Sequence, residues 1–347
     1  MKILLTAAAL LPIASYAASD PCTTAPTGGD AGDFATRNGQ IIGPEGRPFI
    51  ARGVAVSADE LPNPQTLLTT FPGLNFVRVA VFDYNPPEHF ASFVKAMTSK
   101  GIVVELENHQ NNAGGAGGAQ GVIFMGTDLR QEQSWYRAVA AYFKANPYVW
   151  FGTNNEPSTV NPVTGNKKDM AALSNWQKQT YDTIRSAGNG SIVMLEINGW
   201  NDPQSWAQGY ASPLYASMSN VVADMHFYGW LTNKTGTTTS IGQAIKAGVA
   251  TIQQRLRTKS GPMPVIIGEY GNSTDGENVD PNGTAVVDAV HSSGLGTVAW
   301  WMYPGNADNL VTHDGSLTAY GKQVAGHIKS AASSLAGCRR STDHPGK

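Results

Sequence analysis

The chain has 347 residues, 41% of them hydrophobic and 14% charged, with a formal net charge of −2. That supplies enough apolar residue for a sizeable core, in one large domain or two ordinary ones. The near-neutral balance excludes an electrostatic basis for gripping nucleic acid or an anionic membrane.

The N-terminus has the layout of an export signal. Lys2 precedes the apolar run "ILLTAAALLPIA", and the small residues of "SYAAS" offer a cleavage site near Ala17. The run is too short to span a bilayer as an anchor. Residues 1–17 are therefore read as a signal peptide, and the mature protein as exported to the periplasm or the extracellular space. Residues 18–37, rich in Thr, Gly and Ala, are read as a tether. The stretch "NGQIIGPEGRPFIARGVAV" then reads as a hairpin turning at "GPEG" and feeding a strand.

From there short apolar strands alternate with amphipathic helical stretches. The strands expected are 49–56, 76–82, 102–108, 148–154, 191–197, 221–228, 264–270 and 296–303. Between them, "PEHFASFVKAMTSKG" puts Phe90, Phe93, Val94 and Met97 on one helical face. "RQEQSWYRAVAAYFKAN" does the same for Trp135, Val139, Tyr142 and Phe143. Eight strand–helix units in about 290 residues is the count of a (β/α)8 barrel. The fold class is therefore α/β, a TIM barrel in a single domain over 38–335, with a short N-terminal hairpin and a polar tail at 336–347. An open doubly wound sheet would also alternate, but no G-x-G-x-x-G follows the first strand. The Gly-rich 111–121 follows the third strand at a different spacing and is read as a rim loop.

In such a barrel the C-terminal strand ends converge on one face. Those ends carry Arg78, Asn108, His109, Asn155, Glu156, His226, Tyr228, Glu269 and Trp300. The two glutamates matter most. Strands four and seven can face each other across the mouth, and two facing carboxyl groups suit glycoside hydrolysis. A gap of about 5–5.5 Å predicts retention by a covalent route; about 6.5–9.5 Å leaves room for a water and predicts inversion.

"NNEP", "HFY" and "IGEYG" at the ends of strands four, six and seven resemble glycoside hydrolase family 5. "NFVRVAV" and the tryptophan of "AWWMYPGN" fit its second and eighth strands, and the likeness runs over about 45–330. The resemblance implies a retaining glycanase with Glu156 as acid/base and Glu269 as nucleophile. It implies Asn155 on the sugar 2-hydroxyl, and Tyr228 and Arg78 holding Glu269 ionised. His226 and His109 would line the catalytic subsite, and Trp300, followed by a cis peptide, would stack on the sugar. Glu107 keeps the acidic type that many relatives carry two positions before the strand-three histidine, but the loop that follows is unusual.

Trp200 and Trp230 are candidate sugar platforms, with packing beneath a loop as the alternative. The expected substrate is a β-1,4-glycan polymer or oligosaccharide, with glucan first and β-mannan second. A non-catalytic carbohydrate-binding barrel is the reading from another class. No H-E-x-x-H, paired-cysteine or G-x-S-x-G motif occurs, so no metal, cofactor or serine chemistry is expected, and the protein is read as a monomer. The exported context allows a disulfide between Cys22 and Cys338 if the termini meet; otherwise they are free thiols in the chain ends. Sequons begin at Asn189, Asn233, Asn272 and Asn282.

Overall fold

A computed structural model describes residues 32–110, 123–157, 170–196, 213–228, 237–273, 283–305 and 307–342. Its strands are β1 (Ala35–Arg37), β2 (Gln40–Ile42), β3 (Arg52–Ser57), β4 (Phe76–Val81), β5 (Val103–Asn108) and β6 (Val149–Gly152). They continue with β7 (Val193–Glu196), β8 (Val221–Phe227), β9 (Arg257–Thr258), β10 (Gly261–Pro262), β11 (Val265–Tyr270) and β12 (Gly296–Ala299). The eight strands β3–β8, β11 and β12 pair side by side in chain order and close into a barrel. Each neighbouring pair is parallel. The (β/α)8 expectation is met.

The amphipathic patterns explain the outer layer. In the helix Pro87–Thr98, Phe90, Phe93, Val94 and Met97 are all buried, the i, i+3, i+4, i+7 stripe of a core-facing helix. Burying each such side chain stabilises by about 1.5–3 kcal/mol. Proline at the first helical position sets its start, and Glu88 in the first turn suits the positive end of the helix dipole. The helix Gly126–Tyr142 buries Trp135 and Val139, but Tyr142 departs from expectation at 49% exposed. Phe143, four residues beyond Val139, is buried as expected, and Tyr142 lies edge-on to it.

Inside the barrel, alternation decides everything, because successive strand residues face opposite sides. One parity (Ala55, Phe76, Val103, Trp150, Met194, Val222, Ile266 and Val298) forms an inner apolar cluster. The opposite parity packs against the helices. The β1–β2 hairpin plugs the inner cluster from below: Phe34 and Ile41 join it, and the Phe34 ring meets those of Phe49, Tyr148 and Trp150 edge-on at 5.1 Å each.

Several boundaries shift. The hairpin includes Ala35–Arg37, inside the stretch read as tether, and turns at Asn38–Gly39 with φ of 50° and 80°. Those left-handed values are the ones a tight hairpin needs. "GPEG" closes a second turn, bridged by Ile42 and Pro48. β12 stops at Ala299 rather than 303, because Trp301 then exchanges backbone hydrogen bonds with Asp308 and Leu310. The last helix, Ala319–Thr342, runs past the boundary expected at 335. No helix among the described residues is long and apolar enough to cross a membrane. The export segment and Cys22 lie outside the described residues, as does the side chain of Cys338.

Candidate active site

Above the apolar floor, the same inward parity turns polar. On β4 it passes from Phe76 to Arg78, and on β5 from Val103 to Glu105, Glu107 and His109. On β7 it reaches Glu196, and on β8 Asp224, His226 and Tyr228. All eight of these polar side chains are buried.

Glu269 breaks the rule and reaches the site by a bulge. Ile267 pairs with Met225 and Glu269 with His226, so Gly268 is an extra residue on β11. Without it Glu269 would face the helices. The site of the bulge also lacks room: a Cβ on Gly268 would lie 1.9 Å from Asp224 Oδ1. Gly152 at the end of β6 plays the matching part for Glu105, whose Oε1 would be 2.3 Å from an added Cβ. Beyond Gly152 the chain turns through Thr153 and Asn154, and Glu156 sits at φ 39°, a left-handed conformation uncommon for a non-glycine residue.

Arg78 is the hub. Its Nη1 donates to Glu269 Oε2 at 2.6 Å and its Nη2 to Asn155 Oδ1 at 2.8 Å. Nη2 also lies 3.4 Å from Glu196 Oε2 and 3.5 Å from Glu107 Oε2. Burial opposes its charge, but Glu107, Glu269, Glu196 and Asp224 hold it firmly protonated. The Tyr228 hydroxyl donates to Glu269 Oε1 at 2.7 Å. Burial alone would raise Glu269, yet His226, Arg78 and His109, with the Tyr228 hydrogen bond, lower its pKa to about 2. That carboxyl is therefore ionised at any ordinary pH.

Between the two glutamates stands His226. Its Nδ1 is 2.8 Å from Glu156 Oε1 and 3.7 Å from Glu269 Oε1. Burial works against a charge on this imidazole, but Glu269 and Glu156 hold its pKa above the ordinary value. A carboxylate oxygen of Glu156, one of Glu269 and a His226 nitrogen all lie within 4.8 Å of one another. Glu196, Asp224 and His226 form a second such group. Both could be read as metal-ligand sets, but Glu269 is already engaged by Arg78 and Tyr228, and Glu196 by the Glu156 backbone N–H.

The aromatic wall is built from His109 and Trp300, stacked at 5.0 Å and 11°. Trp301 continues the stack from Trp300 at 4.8 Å across a cis peptide bond. Glu107 Oε2, 2.9 Å from His109 Nδ1, orients that imidazole.

A family profile described as Cellulase (glycosyl hydrolase family 5) matches residues 65–306. The chain belongs to glycosyl hydrolase family 5. As a member it is an O-glycoside hydrolase acting on carbohydrate. Among its relatives is the mannan endo-1,4-beta-mannosidase of Streptomyces lividans, 24% identical over 316 residues, which cover 85% of this chain and 74% of that protein. A probable endo-beta-1,4-glucanase B of Neosartorya fischeri is 26% identical over 62% of this chain and 65% of its own length. The beta-mannanase from Thermomonospora fusca superposes with a TM-score of 0.65 at 21% identity, covering 87% of this chain and 97% of that one. At that identity the likeness concerns the fold.

The family 5 chain thus gathers Arg78, His109, Asn155, Glu156, His226, Tyr228, Glu269 and Trp300 at one barrel mouth. Trp200 and Trp230 lie outside the described residues. The sequence reading missed Glu105, Glu196 and Asp224. Their signal was parity: along the inward face Glu105 sits two residues from Glu107, Asp224 two from His226, and Glu196 two from Met194 of the inner cluster. Asn189, first of the sequons, is buried and donates its amide to Ala140 O at 3.0 Å, so its side chain is not free to carry a glycan.

Proposed function

We propose that the protein is a retaining endo-β-1,4-glycanase working by double displacement. The observation that carries this is the pairing of a clamped, ionised Glu269 with Glu156, an oxygen of each within 4.8 Å of the other. That is the short spacing of retaining enzymes; inversion would need a water between the two. Glu269 attacks the anomeric carbon while Glu156 gives its proton to the departing glycosidic oxygen. Glu156, now a base, then takes a proton from water, and that water displaces Glu269 from the glycosyl-enzyme. Arg78 and Tyr228 keep Glu269 ionised and aimed, and His226 supports both carboxyl groups from one side. Because Asn155 Oδ1 is occupied by Arg78, its amide nitrogen is left to donate to the sugar 2-hydroxyl. Trp300, backed by His109 and Trp301, offers an apolar face for the sugar in the catalytic subsite.

For the polymer we put β-1,4-mannan first, a reordering of the expectation from sequence. The support is that the relative aligned over 85% of the chain is named a mannosidase, whereas the endo-glucanase aligns over 62%. β-1,4-Glucan is the second reading, favoured by that glucanase and by the cellulase description of the family. Export follows from the signal-like residues 1–17.

The test is reducing-sugar release from matched soluble β-mannan and β-glucan, with wild type beside Glu269→Ala and Glu156→Ala, and NMR of the first anomer released. Activity on one polymer, lost in Glu269→Ala and giving the β-anomer first, is expected. Release of the α-anomer first would overturn the retaining mechanism. Binding of both polymers with no hydrolysis would make this a carbohydrate-binding barrel instead.

A further inference from the structure

Glu196 has no place in the mechanism above, yet it is buried and touches three of the groups that do. Its Oε1 accepts the backbone N–H of Glu156 at 2.5 Å. The same oxygen lies 3.1 Å from His226 Nε2, on the imidazole whose other nitrogen meets the Glu156 carboxyl. Its Oε2 faces Arg78 Nη2 at 3.4 Å.

The backbone explains why this matters. The ladder between β6 and β7 runs out just after Gly152, which pairs with Met194. Thr153 N still reaches Met194 O at 2.9 Å, but beyond that the partners are side chains. Glu196 N donates to Thr153 Oγ1 at 2.9 Å, and the Glu196 carboxyl takes the N–H of Glu156. At φ 39° Glu156 occupies a left-handed conformation that is unfavourable for a non-glycine residue and persists only where its surroundings enforce it. This turn is also tied one residue earlier, where Asn155 N donates to Asn108 O at 2.9 Å and Asn155 Oδ1 accepts from Arg78 Nη2 at 2.8 Å. A buried N–H also needs an acceptor.

We infer that Glu196 is a positioning residue for the general acid: it holds the Glu156 backbone in its left-handed turn. This rests on the reading of Glu156 as acid/base. It makes a specific kinetic demand, because a misplaced general acid matters only when the leaving group needs a proton. Cleavage of a polymer releases a poor alkoxide leaving group and depends on the acid. Formation of the glycosyl-enzyme from a 2,4-dinitrophenyl β-glycoside of the same sugar does not, since the phenolate departs unaided. A general loss of packing would depress kcat/KM on both substrates alike.

The experiment compares kcat/KM on the polymer and on the dinitrophenyl glycoside for wild type, Glu156→Ala, Glu196→Ala, Glu196→Asp and Glu196→Gln. Glu196→Ala should lose about 30- to 100-fold on the polymer, a share of the 10²–10⁴ that general acid catalysis supplies, and less than about threefold on the activated glycoside. Glu196→Gln keeps an oxygen at the reach of the Glu156 N–H and should stay within about fivefold of wild type on both. Glu196→Asp keeps the carboxyl but is one methylene short, so it should behave like alanine; it also serves if the alanine variant fails to fold. Equal losses on the two substrates, or a glutamine variant as poor as the aspartate, would overturn the inference. Glu156→Ala separates the two ideas. If it shows no leaving-group dependence, the acid/base reading fails; if it does and the Glu196 variants do not, only the role of Glu196 fails.

Discussion

Tyr228→Phe offers the most direct test of how the site keeps Glu269 ionised. The substitution removes one hydroxyl and leaves the ring, so the 2.7 Å hydrogen bond to Glu269 Oε1 is what changes at the carboxylate. Burial and the neighbouring Glu269 hold the Tyr228 hydroxyl in its protonated, donating form throughout. A hydrogen bond to a charged acceptor is worth about 1.5–3 kcal/mol, and each pH unit corresponds to about 1.36 kcal/mol. Losing the donor disfavours the anion, so the protonated form of Glu269 gains and its pKa rises. From the wild-type value of about 2, the acid limb should climb by about one to two pH units. It should stay below the ordinary 4.5, because His226 and Arg78 still favour the anion. The assay is kcat/KM between about pH 3 and about pH 7, in reads short enough to exclude unfolding. Wild type should be flat on the acid side and the variant should bend downward there, with the alkaline limb unmoved. A uniform drop at every pH, with no change of limb, would refute the account: Tyr228 would then serve orientation and not ionisation.

Three further outcomes are expected. Glu132 is pushed up to about 8 by burial, against hydrogen bonds from Trp176, Asn108 and Thr180 that pull it down from there. Between the ordinary 4.5 and that value the folded state keeps a proton the unfolded chain gives up, so stability falls as pH rises through the window. Glu132→Gln should therefore gain on wild type from about pH 5 to about pH 8, read from urea midpoints; an unchanged gap would show that the proton is not held. Phe34→Ala removes the ring at the centre of the lower plug and should cost about 3–5 kcal/mol in urea unfolding, with kcat/KM preserved well below the melting temperature. Gly268→Ala places a methyl against Asp224 in the barrel interior, so it should cost about 1–3 kcal/mol and also lower kcat by displacing Glu269, seen as lost activity in the still-folded fraction.

The sequence by itself determined the barrel. Strand-length apolar runs alternating with helical stripes leave few ways to bury both faces of a parallel sheet, and eight units close it. The sequence also singled out Glu156 and Glu269 as candidates, because polar residues that end apolar strands have no packing reason to be there. Tyr142 shows the limit of periodicity at a helix end: of the two neighbours expected to face inward, only Phe143 is buried.

Only the tertiary structure decided how the acidic side chains are arranged around Arg78. Simple alternation along "VIIGEY" would turn Glu269 outward, and the bulge at Gly268 that turns it back depends on how β11 registers against β8. Glu105, Glu196 and Asp224 read as unremarkable acids until closure buries them around Arg78. Their part in the site comes from distances between strands far apart in the chain. Electrostatic energy depends on those distances and on exclusion of water, neither of which a linear string of residues contains.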